Sequence, residues 1–509
     1  MIIEKLKKTD FSLILLSFLP IAFIAGPLIV EIIINILILI FLSNCIRNKN
    51  FSFLKNKIFI FFLFFYVFLI INIFFSDFLI ENALNIFSYI RFILFPFAIF
   101  EILKKNEKNL KITFFIFLGT IFVVVIDGYY QFIFDQNILG FEKYRVDRIS
   151  GFFKEDLVLG SFLLRLLPLL IALILYFKNN LKLTTFNFLI FFFTYILILL
   201  TGERASFLMA SLALIIIITQ ISSFFYLRII FLFSSISFIA LLIVINPTIS
   251  DRYTKQLKTH IFSNSTTNKI LPYYLPMFET SLKMFKDNKI LGKGPKSYRY
   301  LCSDEKFVTY FPNIKLFKDN TVVKISISWK ELRDIELKDL YVSVGDIIQK
   351  KDKIFSYTFI GDNKVFNYLS DKEGRIEKIY QKKKYINNDI IFDIDPQNSP
   401  NSEYLLKNAC NTHPHNFYVQ LLAETGLIGF IFIFGLFIFL SYLLIKNFIF
   451  KIFKKKTLFS DSEICIIIGF FITLWPLTTN GNFFNNWINI ISFYPLGFFM
   501  YINKKKVIK

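Results

Sequence analysis

Apolar residues in this chain come in runs long enough to cross a bilayer. The hydrocarbon core of a membrane is about 30 Å thick and needs roughly 20 helical residues to span it. Runs near that length recur at 11–25, 27–43, 57–75, 82–101, 112–134, 156–177, 184–201, 204–220, 227–245, 417–446, 462–479 and 484–502. A soluble helix or strand alternates apolar and polar residues so that one face stays wet, and these runs keep no such face. With 55% hydrophobic residues and 69 phenylalanines among 509, the expected fold is an all-α polytopic membrane protein of about twelve transmembrane helices.

The formal charge of +21 does not call for nucleic acid. Lys, Asn, Ile and Phe are enriched together, as AT-rich codons would give, and many lysines fall in short loops between runs, where positive charge fixes topology. Arg47, Lys49, Lys55 and Lys57 follow the second run, Lys104, Lys105, Lys108 and Lys111 the fourth, Lys178 and Lys182 the sixth, and Lys451, Lys454, Lys455 and Lys456 the tenth. Lys504, Lys505 and Lys506 close the tail. All share one side if the N-terminus is cytoplasmic. Lys5, Lys7 and Lys8 then precede an uncleaved first span, since no small-residue cleavage site follows. The chain divides into transmembrane helices over 1–245, a periplasmic loop over 246–416, and the last transmembrane helices over 417–509. The loop 135–155 and the turn Thr201-Gly202-Glu203 face the same outer side as the long loop.

The long loop changes character at about 321–395. Short β-type runs such as Val322 to Ile327, Ile354 to Tyr357, Arg375 to Ile379 and Ile390 to Ile394 alternate with turns at Gly345-Asp346, Gly361-Asp362 and Glu373-Gly374. The segment Val342-Ser343-Val344-Gly345-Asp346-Ile347-Ile348, with Asp352-Lys353-Ile354-Phe355 and Ser370-Asp371-Lys372-Glu373-Gly374-Arg375-Ile376, resembles the lipoyl/biotinyl-like barrel-sandwich fold. A hairpin lysine can carry the cofactor in that family, and Lys364 is the nearest position. Its flanks match poorly, and an exported loop would not meet the modifying enzymes, so an unmodified β-rich module open to a partner is expected. Of four cysteines, Cys45 and Cys465 fall at or in apolar runs. Cys302 and Cys410 bracket the insert on the oxidising side, where disulfides persist, and are expected to be bridged.

Two of only three histidines, His413 and His415, lie at the membrane rim in Thr412-His413-Pro414-His415-Asn416. Imidazole titrates nearest neutrality, which suits it to proton transfer near pH 7. Arg145 and Arg148 precede the sixth run, Arg204 opens the eighth, and Asp127 lies near the outer end of the fifth. Arg91 and Arg165 sit about halfway through their runs. Charge inside a membrane bundle is costly and usually functional; snorkelling explains Arg145 well but not the two deep arginines. Converging guanidinium groups suit an anion, since they bind phosphate through paired donors.

The order Asp127…Gln131, Arg148-Ile149-Ser150-Gly151-Phe152, Leu159-Gly160-Ser161, Thr201-Gly202-Glu203-Arg204-Ala205, Gly292-Lys293-Gly294 and His413-Pro414-His415-Asn416…Glu424-Thr425-Gly426 resembles the O-antigen ligase/polymerase family. The resemblance covers the chain outside the 321–395 insert. It implies a glycosyltransferase that needs neither metal nor cofactor. The donor would be a glycan on undecaprenyl diphosphate, and the acceptor a sugar hydroxyl on lipid A core, another glycolipid or a growing glycan. The resemblance favours His415, directly before Asn416, as the general base that deprotonates the acceptor. Arg148 and Arg204 would stabilise charge on the departing diphosphate. Asn416 would orient the imidazole, and Glu424 would hold the site. Arg145, Arg91, Arg165, Asp127 and His413 complete the candidate substrate-binding set. The outer membrane-proximal loops carry no Asp-x-Asp cluster for a divalent ion. Ligase and polymerase share donor and chemistry and stay unresolved at this point, as do a polytopic transporter and a non-catalytic assembly protein built around the β insert.

Overall fold

The structure is a computed structural model that describes residues 10–145, 147–177, 181–255, 270–309, 323–326, 334–349, 351–360, 364–370, 374–380, 382, 384–385, 390–395 and 409–507. Lys5, Lys7, Lys8, Lys178 and the turns at Gly361-Asp362 and Glu373 lie outside the described residues. The chain forms two compact units. One comprises 1–259, 277–307 and 411–509, and the other 260–276 and 308–410.

Each of the twelve apolar runs contains helix. In order they are α1 (Phe11–Ala25), α2 (Pro27–Arg47), α3 (Lys57–Phe74), the pair α4 (Leu79–Phe87) and α5 (Ile90–Lys105), α6 (Glu107–Phe134), α7 (Leu159–Tyr176), α8 (Leu181–Leu200), α9 (Arg204–Gln220) and α10 (Phe225–Ile245). After α11 (Ile270–Asp287) come α12 (Phe417–Lys454), α13 (Asp461–Thr473) and α14 (Asn486–Val507). Among the described residues, seven helical stretches are long and apolar enough to cross a membrane: α2, α3, the α4–α5 stretch, α6, α7, α10 and α12. Others are shorter than the apolar run that encodes them. The run at 462–479, for example, is helical only to Thr473, and Leu474 to Asn485 form a connection containing Pro476 and Gly481.

The fourth run is likewise not one helix. It breaks at Ser88-Tyr89, and the short α4 turns Ile80 and Leu84 outward while burying Asn82 and Ile86. Large apolar side chains cover the outside of the bundle, with Leu39, Phe64 and Phe233 about two-thirds exposed at 66%, 69% and 65%. That surface is stable only against hydrocarbon.

The polar connections sort to the two ends of the bundle. At one end Gln220 and Asn447 hydrogen-bond, Asp461 accepts from the amides of Ser222 and Ser223, and Lys105 pairs with Asp10. At the other end Gln131 holds the amides of Ser150 and Gly151, Arg148 reaches Thr201, and the amide of Asn480 donates to the carbonyl of His415.

A break in α12 positions that second end. Gly426 has φ 63° and ψ −159°, far from helical values, and this region of backbone space is essentially open to glycine alone. The break frees the carbonyls of Ala423 and Glu424 and the amides of Leu427 and Ile428, which an intact helix would pair i to i+4. The segment 289–294 takes all four. Lys293 and Gly294 donate to Ala423 and Glu424 at 2.9 and 2.8 Å, while Leu427 and Ile428 donate to Lys289 and Ile290 at 2.8 and 3.5 Å. Buried backbone groups need partners, so this loop is the complement of the broken helix.

The second unit contains two antiparallel sheets built from β1 (Val323–Ser326), β2 (Ile335–Leu340), β3 (Ile347–Ile348), β4 (Lys353–Phe359), β5 (Phe366–Leu369), β6 (Gly374–Ile379) and β7 (Ile390–Asp395). Their orders are β1-β7-β6-β3 and β2-β4-β5. Ile335, Ile348, Ile354, Phe355, Ile376 and Phe392 form one shared core. Lys364 sits in the β4–β5 connection, its ammonium 5.5 Å from the Phe366 ring centre. Cys302 and Cys410 are disulfide-bonded, while Cys45 and Cys465 are free thiols.

Candidate functional site

Glu424, two residues before the break, is fully buried and fixes the loop after the glycines. Its carboxylate accepts from the amides of Lys296 at 3.0 Å and Tyr298 at 3.1 Å, and from the Gln420 side chain at 3.0 Å. Gln420 in turn joins Asn482 and the amide of Phe483. The α12 entrance, the 474–485 connection and the 289–298 loop are thereby one hydrogen-bonded assembly.

The histidine pair sits at the entrance to α12, with ring centres 4.3 Å apart. His415 takes a left-handed φ of 58°, uncommon outside glycine. The Asn411 side chain lies 3.1 Å from its Nε2. The Asn411 oxygen accepts from the amide of Thr412, so its NH2 faces His415. Nε2 is therefore the acceptor, and the neutral ring carries its proton on Nδ1. Burial lowers the pKa of His415. Burial also pushes His413 down to about 4, with the neighbouring His415 and Arg299 acting in the same direction. Both rings are neutral at pH 7.

Asn416 does not orient the imidazole, contrary to the expectation. Its oxygen caps α12 by accepting from the amides of Tyr418 and Val419, and its NH2 donates to the carbonyls of Pro476 and Thr478. An Asn at an N-cap satisfies otherwise orphaned amides, and that duty leaves its side chain unavailable to His415. The contact belongs to Asn411 instead.

The loop held by Glu424 is cationic. Lys296 also has a left-handed φ, 64°. Burial pulls its ammonium down to about 8, with Arg299 and Arg91 adding to the effect and Glu424 and Glu31 opposing it. Arg91 is bonded to Glu31 at 3.1 Å, and Lys293 is paired with Asp287. Among the described residues neither Lys296 nor Arg299 enters an ion pair.

The arginine motifs form a second set, in which Asp147 and Glu203 partner Arg145, Arg148 and Arg252. Arg148 donates to the carbonyls of Thr201 and Leu157 and lies 3.9 Å from Glu203. Glu203 accepts from the amides of Gly160 and Ser161 and from Ser206. Burial raises the Glu203 pKa, opposed by Arg148 and these donors. Arg252 donates to Gly202 and pairs with Asp147, which also engages Arg145 at 3.3 Å. A cavity of 330 Å3 opens among Lys143, Asp147, Arg148, Arg252 and Tyr253.

Arg204 is the first residue of α9, and Arg165 donates to the carbonyl of Ser161 one turn earlier in its own helix. Asp127 is buried and accepts from the amide of Ile138 and the Asn137 side chain. It staples the 137–151 loop, as Gln131 does.

Sequence reasoning singled out Arg148 and Arg204 but assigned no role to Lys296, Arg299, Asn411, Glu203 or Arg252. Gly292-Lys293-Gly294 was the available signal for the cationic loop, since glycines so spaced mark a close backbone approach. Asn411 carries no comparable mark. An apolar cavity of 740 Å3 is lined by Lys57, Phe62, Phe432, Leu443 and Asn489 and by Phe417, two residues after His415. No protein-family model matches this chain, and no curated protein matches it.

Proposed function

We propose that this protein is a multi-pass glycosyltransferase of the O-antigen ligase type in a bacterial inner membrane, acting at the periplasmic face. It moves a glycan from undecaprenyl diphosphate to a sugar hydroxyl on lipid A core or a similar acceptor. The observation that carries the reading is His415, an imidazole whose burial favours the neutral form, just before the apolar helix α12 and near a loop whose Lys296 and Arg299 enter no ion pair among the described residues. The acceptor oxygen attacks the anomeric carbon as its proton passes to the imidazole. The bond from that carbon to the diphosphate oxygen breaks, and its electron pair leaves with the lipid diphosphate. A base supplies about 10²–10⁴-fold in such a step, and fixed cations stabilise the departing charge. The Nε2 lone pair faces Asn411 in this state, so the acceptor hydroxyl takes the place of the Asn411 amide when it binds. The 740 Å3 apolar cavity, reaching Phe417 two residues beyond His415, supports a donor with a hydrocarbon chain.

Complementation of a deletion strain tests this. His415→Ala, expressed at the normal level, should abolish surface glycan, and normal glycan on a gel would sink the proposal. Long lipid-linked chains accumulating in the deletion strain support a ligase. A single repeat attached to core would instead assign the polymerase reaction, which uses the same donor.

A further inference from the structure

We infer that Lys296 and Arg299 form the anion site that receives the donor's diphosphate, in place of the arginine motifs; this rests on the glycosyltransferase reading of the same site. The loop is built to present them. Four backbone hydrogen bonds seat 289–294 in the break of α12, and Glu424 then clamps the amides of Lys296 and Tyr298 on either side of Ser297. Lys296 is held there at φ 64°, a conformation that costs a non-glycine residue on the order of 1 kcal/mol or more.

The charges around it are already committed. Glu31 is bonded to Arg91, and both Glu424 oxygens are taken by amides and Gln420. The neighbouring Lys293 shows how the chain neutralises a structural lysine, through Asp287. Lys296 has no such partner among the described residues, yet it is partly withdrawn from water beside Arg299 and Arg91. A partly buried ammonium among like charges is unfavourable until an anion joins it. Lysine offers a compact charge and arginine a planar fork, and together they suit a diphosphate. Arg299 acts electrostatically on His413, whose ring centre lies 4.3 Å from that of His415, the candidate base, so the anion would sit near the histidine pair. Arg148 and Arg252 already hold Glu203, Asp147 and backbone carbonyls, which an arriving anion would have to displace.

Binding of geranylgeranyl diphosphate to the purified full-length protein in detergent tests the site, with geranylgeraniol and inorganic diphosphate as competitors. Lys296→Gln and Arg299→Gln should each weaken binding tenfold or more. Lys296→Arg should retain most of it, and Lys306→Gln, the loss of an exposed neighbouring charge, should leave it unchanged. Inorganic diphosphate should compete and geranylgeraniol should not. Thermal melting of each variant separates lost binding from lost folding. Wild-type affinity in a folded Lys296→Gln protein, with loss in Arg148→Gln, returns the diphosphate to the arginine set and overturns the inference. Equal competition by geranylgeraniol overturns it as well. This assay involves no sugar transfer, so its outcome is independent of the His415→Ala result.

Discussion

Gly292 and Gly426 exclude a side chain from each other. A Cβ on Gly292 would lie 2.6 Å from the amide nitrogen of Gly426, and a Cβ on Gly426 would lie 2.7 Å from the amide nitrogen of Gly292. The obstructing atoms are backbone on both sides and cannot rotate away. Both glycines also have positive φ, 70° and 63°. Either Gly→Ala change should therefore cost about 3 kcal/mol or more, since it adds a clash to backbone strain. The expected outcome is poor accumulation in the membrane and a lowered melting temperature. A Gly426→Ala protein with the wild-type melting temperature would show that the loop does not dock into the break.

Glu424→Gln is nearly isosteric and removes only charge and one acceptor. The carboxylate receives two amides and one side-chain NH2 across its two oxygens. A glutamine turns an NH2 toward one of those donors and leaves it unsatisfied, at a cost of about 1–3 kcal/mol. Melting should drop, and diphosphate binding should weaken in the protein that remains folded, because Lys296 loses its clamp. Unchanged binding in Glu424→Gln would detach the clamp from the anion site.

The two histidines should separate on mutation. His415→Ala should lower transfer by about 10²-fold or more, the scale of a lost general base, while His413→Ala should be milder. Asn411→Ala should perturb transfer more than it perturbs melting, since its amide contacts the imidazole from an exposed loop. Equal loss in His413→Ala and His415→Ala, measured as transfer rate per folded protein, would contradict this division.

pH acts on the two halves of the site in opposite directions. His413 has a folded pKa of about 4 against an ordinary 6.5, so the unfolded chain binds more protons between those values. Stability should therefore fall as pH drops from about 6.5 to about 4, and His413→Gln should flatten that slope in a melting series. Lys296 is charged below about 8, so diphosphate binding should weaken as pH rises through that value. Transfer should peak between the neutral imidazole of His415 on the acid side and the protonated Lys296 on the alkaline side. A rate that climbs steadily above pH 9 would remove Lys296 from the reaction.

Where helix forms was legible in the sequence, because an uninterrupted apolar run has no other stable arrangement in hydrocarbon. All twelve runs contain helix. Their ends were less legible: the break at Ser88-Tyr89 and the early end of α13 at Thr473 depend on neighbours that a hydropathy pattern does not contain. The β insert and the place of His413 and His415 just before α12 were also visible, the first from period and turns, the second from rarity and place.

The sequence by itself determined that this chain makes apolar helices with a β-rich insertion and sets two histidines before the tenth apolar run. Tertiary structure decided which polar residues are committed and which remain available. Asn416 and Asp127 look like ligands in sequence, yet their oxygens are committed to backbone amides; Arg148 is committed to backbone carbonyls and Glu203. Lys296, unremarkable among so many lysines, stays outside any ion pair among the described residues because four backbone bonds across Gly426 and the Glu424 clamp fix its loop. The reason is physical: side-chain chemistry is local, but whether a charge is already satisfied depends on which distant segment folds against it.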